Sequence, residues 1–144
     1  MEQVGAGSGV ADGAEAMTET ETGDDPNRLL HTLRKTLITE FRSQQPDLTL
    51  RQLAMLLVIY LTNERQTVRG LAAYLNVHKS AVCRALDRFR EIDLAYREID
   101  LRDTRSINAG RTARGAAMVE RLGTAMVEAA DGRGRALSEV PIKV

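Results

Sequence analysis

Apolar residues recur at helical spacing in the first half of the chain and predict two helices. The first stripe consists of Leu29, Leu30, Leu33, Leu37, Ile38 and Phe41. This helix is expected to begin at Pro26, with Asp24 or Asp25 as its cap, and to end before Pro46. The stretch TLRQLAMLLVIYL follows, with Thr49 and Gln52 at the spacing of a capping box. Its apolar residues surround most of the helix, so this second helix is predicted to be buried.

The stretch TVRGLAAYLNVHKSAVCRAL predicts two short helices joined by a tight turn. Thr67 can cap the first helix, and Asn76 falls where the chain must turn through a left-handed conformation. The second helix is expected to begin at His78 or Lys79. Its predicted inner face holds Val82, Ala85, Leu86 and Phe89, and its predicted outer face holds Ser80, Cys83, Arg84, Asp87 and Arg88. This layout is that of a helix-turn-helix unit.

Two extended segments and a last helix complete the pattern. AYREID (95–100) and TRSINAGRT (104–112) predict a hairpin, with LRD as the polar turn between its strands. Thr112 can cap the last helix, and Gly132 and Gly134 can end it. Its predicted stripe consists of Met118, Val119, Leu122, Ala125, Met126 and Ala130. The predicted fold class is mainly α: a winged helix-turn-helix domain with a two-stranded β-wing and flanking N- and C-terminal helices.

Charge is distributed unevenly, although the formal net charge is zero. Residues 1–25 hold seven acidic residues and no lysine or arginine, whereas residues 26–144 hold 20 basic and 13 acidic residues. We therefore expect 1–25 to be a disordered acidic tail and 26–144 to form one domain. Between Arg65 and Arg114, eleven basic residues stand against six acidic ones. This surplus coincides with the helix-turn-helix and the hairpin and favours a polyanionic partner.

Four stretches of the chain resemble the MarR family of winged-helix transcriptional regulators, over roughly residues 28–130. They are LTLRQLAMLLVIY, VRGLAAYLNVHKSAVCRALDRF, LAYREIDLRDTRS and RTARG. The family's wing pattern is matched by Asp103, Arg105, Thr112 and Gly115, whereas His78, Cys83 and Asp93 stand where the family usually has a Ser or Thr cap, a serine and a glycine.

The resemblance implies a bacterial, cytoplasmic and nucleoid-associated regulator of transcription. It implies a homodimer that binds sequence-specifically to double-stranded DNA and represses at a pseudo-palindromic operator. Dimerisation helices are then expected at about 27–44 and 112–131, the helix-turn-helix at about 67–90 and the wing at about 95–111. A small aromatic or phenolic ligand is possible by the same resemblance, although no residue identifies it.

The resemblance and the charge pattern together predict a set of DNA-binding residues. These are Lys79, Ser80, Cys83, Arg84, Arg88, Arg102, Asp103 and Arg105. We expect Arg84 to read a guanine edge in the major groove, unless it is a phosphate contact. Arg105 is expected to enter an A·T-rich minor groove. Asp103 would either hold Arg105 in a charge-assisted hydrogen bond or form the turn.

The sequence lacks the motifs that are typical of enzymes, metal sites and membrane helices. It has no Gly-rich phosphate loop, no nucleophile elbow and no recognisable pair of carboxylates, so we expect no enzyme activity. His31 and His78 lie far apart without a ligand cluster, so neither a metal nor a cofactor is predicted. No 18-residue apolar run predicts a membrane helix. A protein-interaction module and a non-specific DNA-coating protein remain as alternatives.

Cys83 is the only cysteine and excludes an intramolecular disulfide. Two interpretations of this thiol stay open. It is either a redox sensor on an outward-facing helix or a tolerated replacement for a small serine.

Overall fold

The computed structural model describes residues 25–132, which hold five helices and two strands. In chain order they are α1 (Pro26–Arg42), α2 (Leu50–Leu61), α3 (Val68–Leu75), α4 (Lys79–Glu91), β1 (Ala95–Ile99), β2 (Ile107–Arg111) and α5 (Ala113–Ala130). The mainly helical winged-helix fold is thus confirmed. The predicted disordered tail, except for its last residue, and Gly134 lie outside the described residues.

Side-chain caps predicted from the sequence begin four of the helices. An oxygen of the capping side chain accepts a hydrogen bond from a first-turn N–H at Asp25 (3.2 Å), Thr49 (3.1 Å), Thr67 (2.9 Å) and Thr112 (2.9 Å). At Thr49 the capping box is complete, because the Gln52 side chain accepts from the Thr49 backbone N–H at 2.9 Å. These contacts satisfy donors that a helix leaves unpaired in its first turn.

Within residues 25–132, two residues other than glycine adopt left-handed backbone conformations, and both end a helical segment. Asn76 has φ 53° and ψ 51° and forms the turn between α3 and α4, as predicted. Asp93, where the MarR family usually has glycine, has φ 59° just after α4. His78 precedes α4 without a side-chain hydrogen bond to the first turn, in line with its departure from the usual Ser or Thr cap.

The hydrophobic core lies between α2, α3, α4 and the base of the wing. Its largest fully buried members are Met55, Leu56, Ile59, Leu71, Val82, Leu86, Phe89 and Leu94. The four apolar residues predicted for the inner face of α4 are all buried. Burial of these side chains fixes which face of α4 is left in water.

The wing is an antiparallel pair of strands in which Ala95 pairs with Arg111 and Ile99 with Ile107. The predicted start of the second strand was wrong by three residues, because 104–106 belong to the connecting loop. Side chains of this loop bind its own backbone: Asp100 Oδ1 accepts from the N–H of Arg102 at 2.9 Å. Such local hydrogen bonds compete with extension of the strand ladder.

The predicted stripe of helix α5 is partly buried in the single chain. Met118, Leu122 and Ala125 are buried, Met126 and Ala130 are exposed, and Ala129, outside the stripe, is buried too. The spacing of the buried residues follows the 3.6-residue turn from Met118 onward. The helix ends before Gly132, which has φ 71°, as predicted.

The chain divides into two compact units. Residues 40–124 form one unit, and α1 up to Thr39 and α5 from Ala125 belong to the other. On the α1 segment of the latter, Thr36 is buried, whereas four leucines of the predicted stripe are exposed: Leu29, Leu30, Leu33 and Leu37. None of the described helices has the length and apolarity needed to cross a membrane.

Gly123 provides a test of how α5 is built. It lies inside the helix, and a Cβ added there would meet no atom within 4 Å. Glycine in a helix interior costs conformational entropy, so Gly123→Ala should raise the free energy of unfolding by about 0.5–1 kcal/mol. Urea denaturation followed by circular dichroism measures this change. A lower stability in the variant would mean that position 123 is packed.

Candidate nucleic-acid interface

The face of α4 that points away from the core carries the first group of predicted residues. Lys79, Ser80, Arg84 and Arg88 are exposed on it. Their exposure follows from the burial of Val82, Leu86 and Phe89 on the other side of the helix. The helix therefore presents cations and a hydroxyl at one surface, as a recognition helix does.

A cleft with a volume of about 490 Å³ separates the start of α4 from the wing. It is lined by Thr67, Val68, Arg69, Lys79, Cys83, Asp103, Arg105, Ser106 and Ile107. Four residues predicted from the sequence are thus brought together. Arg69, in the first turn of α3, joins them and was missed by the sequence prediction. The sequence feature that could have identified Arg69 is its position in the first turn of the helix that Thr67 caps.

Arg84 lies on the other side of α4, in a smaller cleft of about 170 Å³. Its lining residues are Thr49, Arg51, Gln52, Met55, Ala81, Arg84 and Ala85. Arg51 is a second cation that the sequence prediction missed, and it belongs to the first turn of α2. Arg102 lines neither cleft and is exposed in the wing loop.

Ion pairs remove part of the positive charge between Arg65 and Arg114. Arg97 binds Asp87 at 2.6 Å, Arg88 lies 3.4 Å from Glu91, and Arg65 pairs with Glu98. Within residues 25–132, no ion pair forms at Arg69, Lys79, Arg84, Arg102 or Arg105. These five exposed cations, together called the basic face here, leave the region next to α4 and the wing positively charged.

The predicted hydrogen bond between the Asp103 carboxylate and the Arg105 guanidinium is absent. Asp103 Oδ1 instead accepts from the backbone N–H of Arg105 at 3.1 Å, and its Oδ2 accepts from the Ser106 hydroxyl at 3.2 Å. Asp103 thus serves as a turn-former, the alternative that the sequence left open. The Arg105 side chain is left without a carboxylate partner among the described residues.

Cys83 is half-buried and packs against the core, so the prediction that it points outward was only partly right. The α4 position that it occupies lies at the edge of the inner face, and it borders the larger cleft. Its thiol therefore lies beside the basic face, not at the exposed front of the helix. The described residues hold no group of three or more His, Cys, Asp or Glu side chains that could bind a metal.

The base of the wing is tied to the end of α2 by a tyrosine and an arginine. The Tyr60 hydroxyl donates to the Leu94 carbonyl at 2.6 Å and accepts from the Thr112 N–H at 2.9 Å. Arg111 Nε donates to the Ile59 carbonyl at 2.9 Å, and its guanidinium lies 5.8 Å from the Tyr60 ring centre. Both ends of the hairpin base are thereby held against the helical core.

Comparison with known proteins links this geometry to one family. A family model described as "MarR family" matches residues 47–106. Staphylococcus aureus MepR bound to ethidium bromide is 27% identical, with 75% of this chain and 76% of that chain covered and a TM-score of 0.57.

The S. aureus MepR–DNA complex is 23% identical, with 80% of this chain and 83% of that chain covered and a TM-score of 0.54. The structure of MarR is 27% identical at a TM-score of 0.50, with 58% of this chain covered, and the match spans only 61% of the MarR chain. No curated protein sequence matches the chain.

Proposed function

We propose that this chain, whose residues 47–106 match the MarR family model, binds a specific operator in double-stranded DNA and represses transcription there. The basic face is the observation that carries the proposal. Four of its five cations lie on the helix and the hairpin that meet a duplex in winged-helix proteins, and Arg69 lies beside them in the first turn of α3. None of the five is neutralised by a carboxylate. The DNA-bound MepR has the same fold.

Each predicted residue has a proposed part in this complex. Arg84 reads a guanine edge from the exposed face of α4, while Lys79 and Ser80 meet phosphates near its first turn. Arg105 enters the minor groove beside the wing, and Arg102 meets a phosphate. Asp103 acts through the shape of the loop. Arg88 contributes less because Glu91 partly neutralises it, and Cys83 lies behind the contact surface.

The proposed binding form is a homodimer. Four leucines of α1 are exposed in the single chain, although leucine side chains are stabilised by removal from water. A second copy supplies the same apolar surface by two-fold symmetry. Two recognition helices about one DNA turn apart would then fit the halves of a pseudo-palindromic operator.

Selection of bound sequences from a random duplex library tests this function. A regulator should recover a palindromic sequence, and footprinting on that sequence should show one discrete protected region. Diffuse protection without sequence recovery would indicate a DNA-coating protein. If the protein binds no duplex at low salt, the remaining function is that of a protein-interaction module.

Arg84→Ala should relax base preference at one position of each half-site. A good bidentate contact to guanine gives about 1–3 kcal/mol of discrimination, and the alanine variant loses that contact. The measurement is the affinity for a panel of single-base changes in the selected sequence at fixed salt. Arg90→Ala is the matched control, because Arg90 is exposed on the same helix but lies about 120° around its axis from Arg84.

A uniform loss of affinity across the panel would contradict the base-reading role of Arg84. In that case the salt dependence of binding should also weaken, as for a lost phosphate contact.

A further inference from the structure

The wing loop, residues 100–106, presents a strongly exposed leucine near its start. Leu101 is 95% exposed, so its side chain has almost no contact with the rest of the chain. Arg102 and Arg105, the two wing cations of the basic face, are exposed on the same loop. Isolated exposed leucines are common on protein surfaces. The setting of Leu101 is what distinguishes it.

The loop is held in one conformation by its own polar groups. The Asp100 N–H donates to the Ser106 carbonyl at 3.0 Å, and the Ser106 N–H donates to the Asp103 carbonyl at 2.9 Å. The carboxylates of Asp100 and Asp103 bind three further donors in the same loop. These bonds shape the loop backbone on both sides of Leu101, whose side chain stays exposed.

We propose that Leu101 is an apolar wedge that enters the minor groove beside each half-site, partly unstacks a base step and bends the operator. This inference rests on the proposed function. The adjacent arginines favour a polyanion as the occupant, and the minor groove of DNA offers both phosphates for the arginines and apolar sugar and base edges for a leucine. Apolar side chains that pry open minor-groove steps kink duplexes in other proteins. Flexible pyrimidine–purine steps are the easiest to open.

The test uses the full chain and the duplex recovered by selection, with a TA step placed in the flank under the wing. Energy transfer between dyes at the two duplex ends reports bending, and 2-aminopurine in the TA step reports unstacking. Leu101→Ala should abolish the 2-aminopurine signal, reduce the bend and lower affinity about tenfold, as expected for loss of a partly buried leucine. Leu101→Met, which keeps an apolar side chain of similar volume, should retain all three properties.

Leu61→Ala is the matched control, because Leu61 is also strongly exposed (71%) but lies at the end of α2, outside the basic face. It should behave like the unmutated protein. A second control replaces the TA step by AA, which is stiffer. With this duplex, the unmutated protein and Leu101→Ala should differ less in bending and in affinity.

Equal bend and equal 2-aminopurine signal for the unmutated protein and Leu101→Ala, with specific binding intact, would overturn the wedge and leave the proposed function standing. A change in self-association of Leu101→Ala without DNA would assign Leu101 to a contact with a second copy and also overturn the wedge. Absence of specific binding by the unmutated protein would remove the proposed function itself, and the wedge with it.

Discussion

Gly115→Ala is expected to lower the free energy of unfolding by about 3 kcal/mol. A Cβ at this position would overlap the Tyr60 hydroxyl oxygen and the Leu94 carbonyl oxygen, which lie against the first turn of α5. Overpacking of a tight site costs about 1–3 kcal/mol, and displacement of Tyr60 would also break its hydrogen bonds to Leu94 and Thr112. Urea or thermal denaturation followed by circular dichroism measures the loss.

Gly123→Ala is the matched control for this result, because it makes the same chemical change on the same helix with the opposite expected sign. Tyr60→Phe in the Gly115→Ala background removes one of the two overlapping oxygens, so the added cost of Gly115→Ala should be smaller in that background. Unchanged stability of Gly115→Ala would show that the junction between α2 and α5 is looser than the structure has it.

Glutamate at two positions of the exposed α1 stripe is expected to produce monomers that lose specific DNA binding. Leu30 and Leu33 are 61% and 46% exposed in the single chain, so Leu30→Glu with Leu33→Glu should leave its fold intact. In a dimer the four added carboxylates would be buried without partners, which strongly opposes association. A monomer reaches only one half-site, so affinity for the operator should fall at least about a thousandfold, toward non-specific binding.

Light scattering and gel-shift titration measure these two effects, and circular dichroism checks the fold. His31→Glu adds one carboxylate per chain to the same helix outside the leucine stripe and should remain dimeric. Leu122 would be a poor target because it is only 8% exposed, so its replacement would disturb the single chain. A monomeric unmutated protein, or a double variant that remains dimeric, would contradict the proposed assembly.

Local features of this protein were predictable from the sequence. The capping residues Thr49, Thr67 and Thr112 and the turn at Asn76 are present as predicted. These features depend on hydrogen bonds and backbone conformations within three or four residues, so a short stretch of sequence contains both partners. The inner face of α4 was predictable for a related reason, since helical periodicity alone selects it.

The distribution of charge at the candidate interface was decided by the tertiary structure. The sequence showed the surplus of arginines but could not tell paired residues from unpaired ones. Asp87 and Arg97 are ten positions apart, and Arg65 and Glu98 are 33 apart; each pair forms only when helix, loop and wing are packed together. The same packing brought Arg69 beside the predicted site.

The role of single side chains was likewise a tertiary result. Arg111 belongs to the surplus of basic residues between Arg65 and Arg114, but it binds carbonyls at the end of α2, about 50 positions earlier in the chain. Gly115 was recognised in the sequence only as part of a family pattern. The structure explains why this residue is glycine, because Tyr60 and Leu94 occupy the space that a Cβ would need. Local pattern therefore determined the helices, their caps and most of the wing. Long-range packing decided which charges remain exposed to a partner, because burial and pairing depend on residues that are neighbours only in the folded chain.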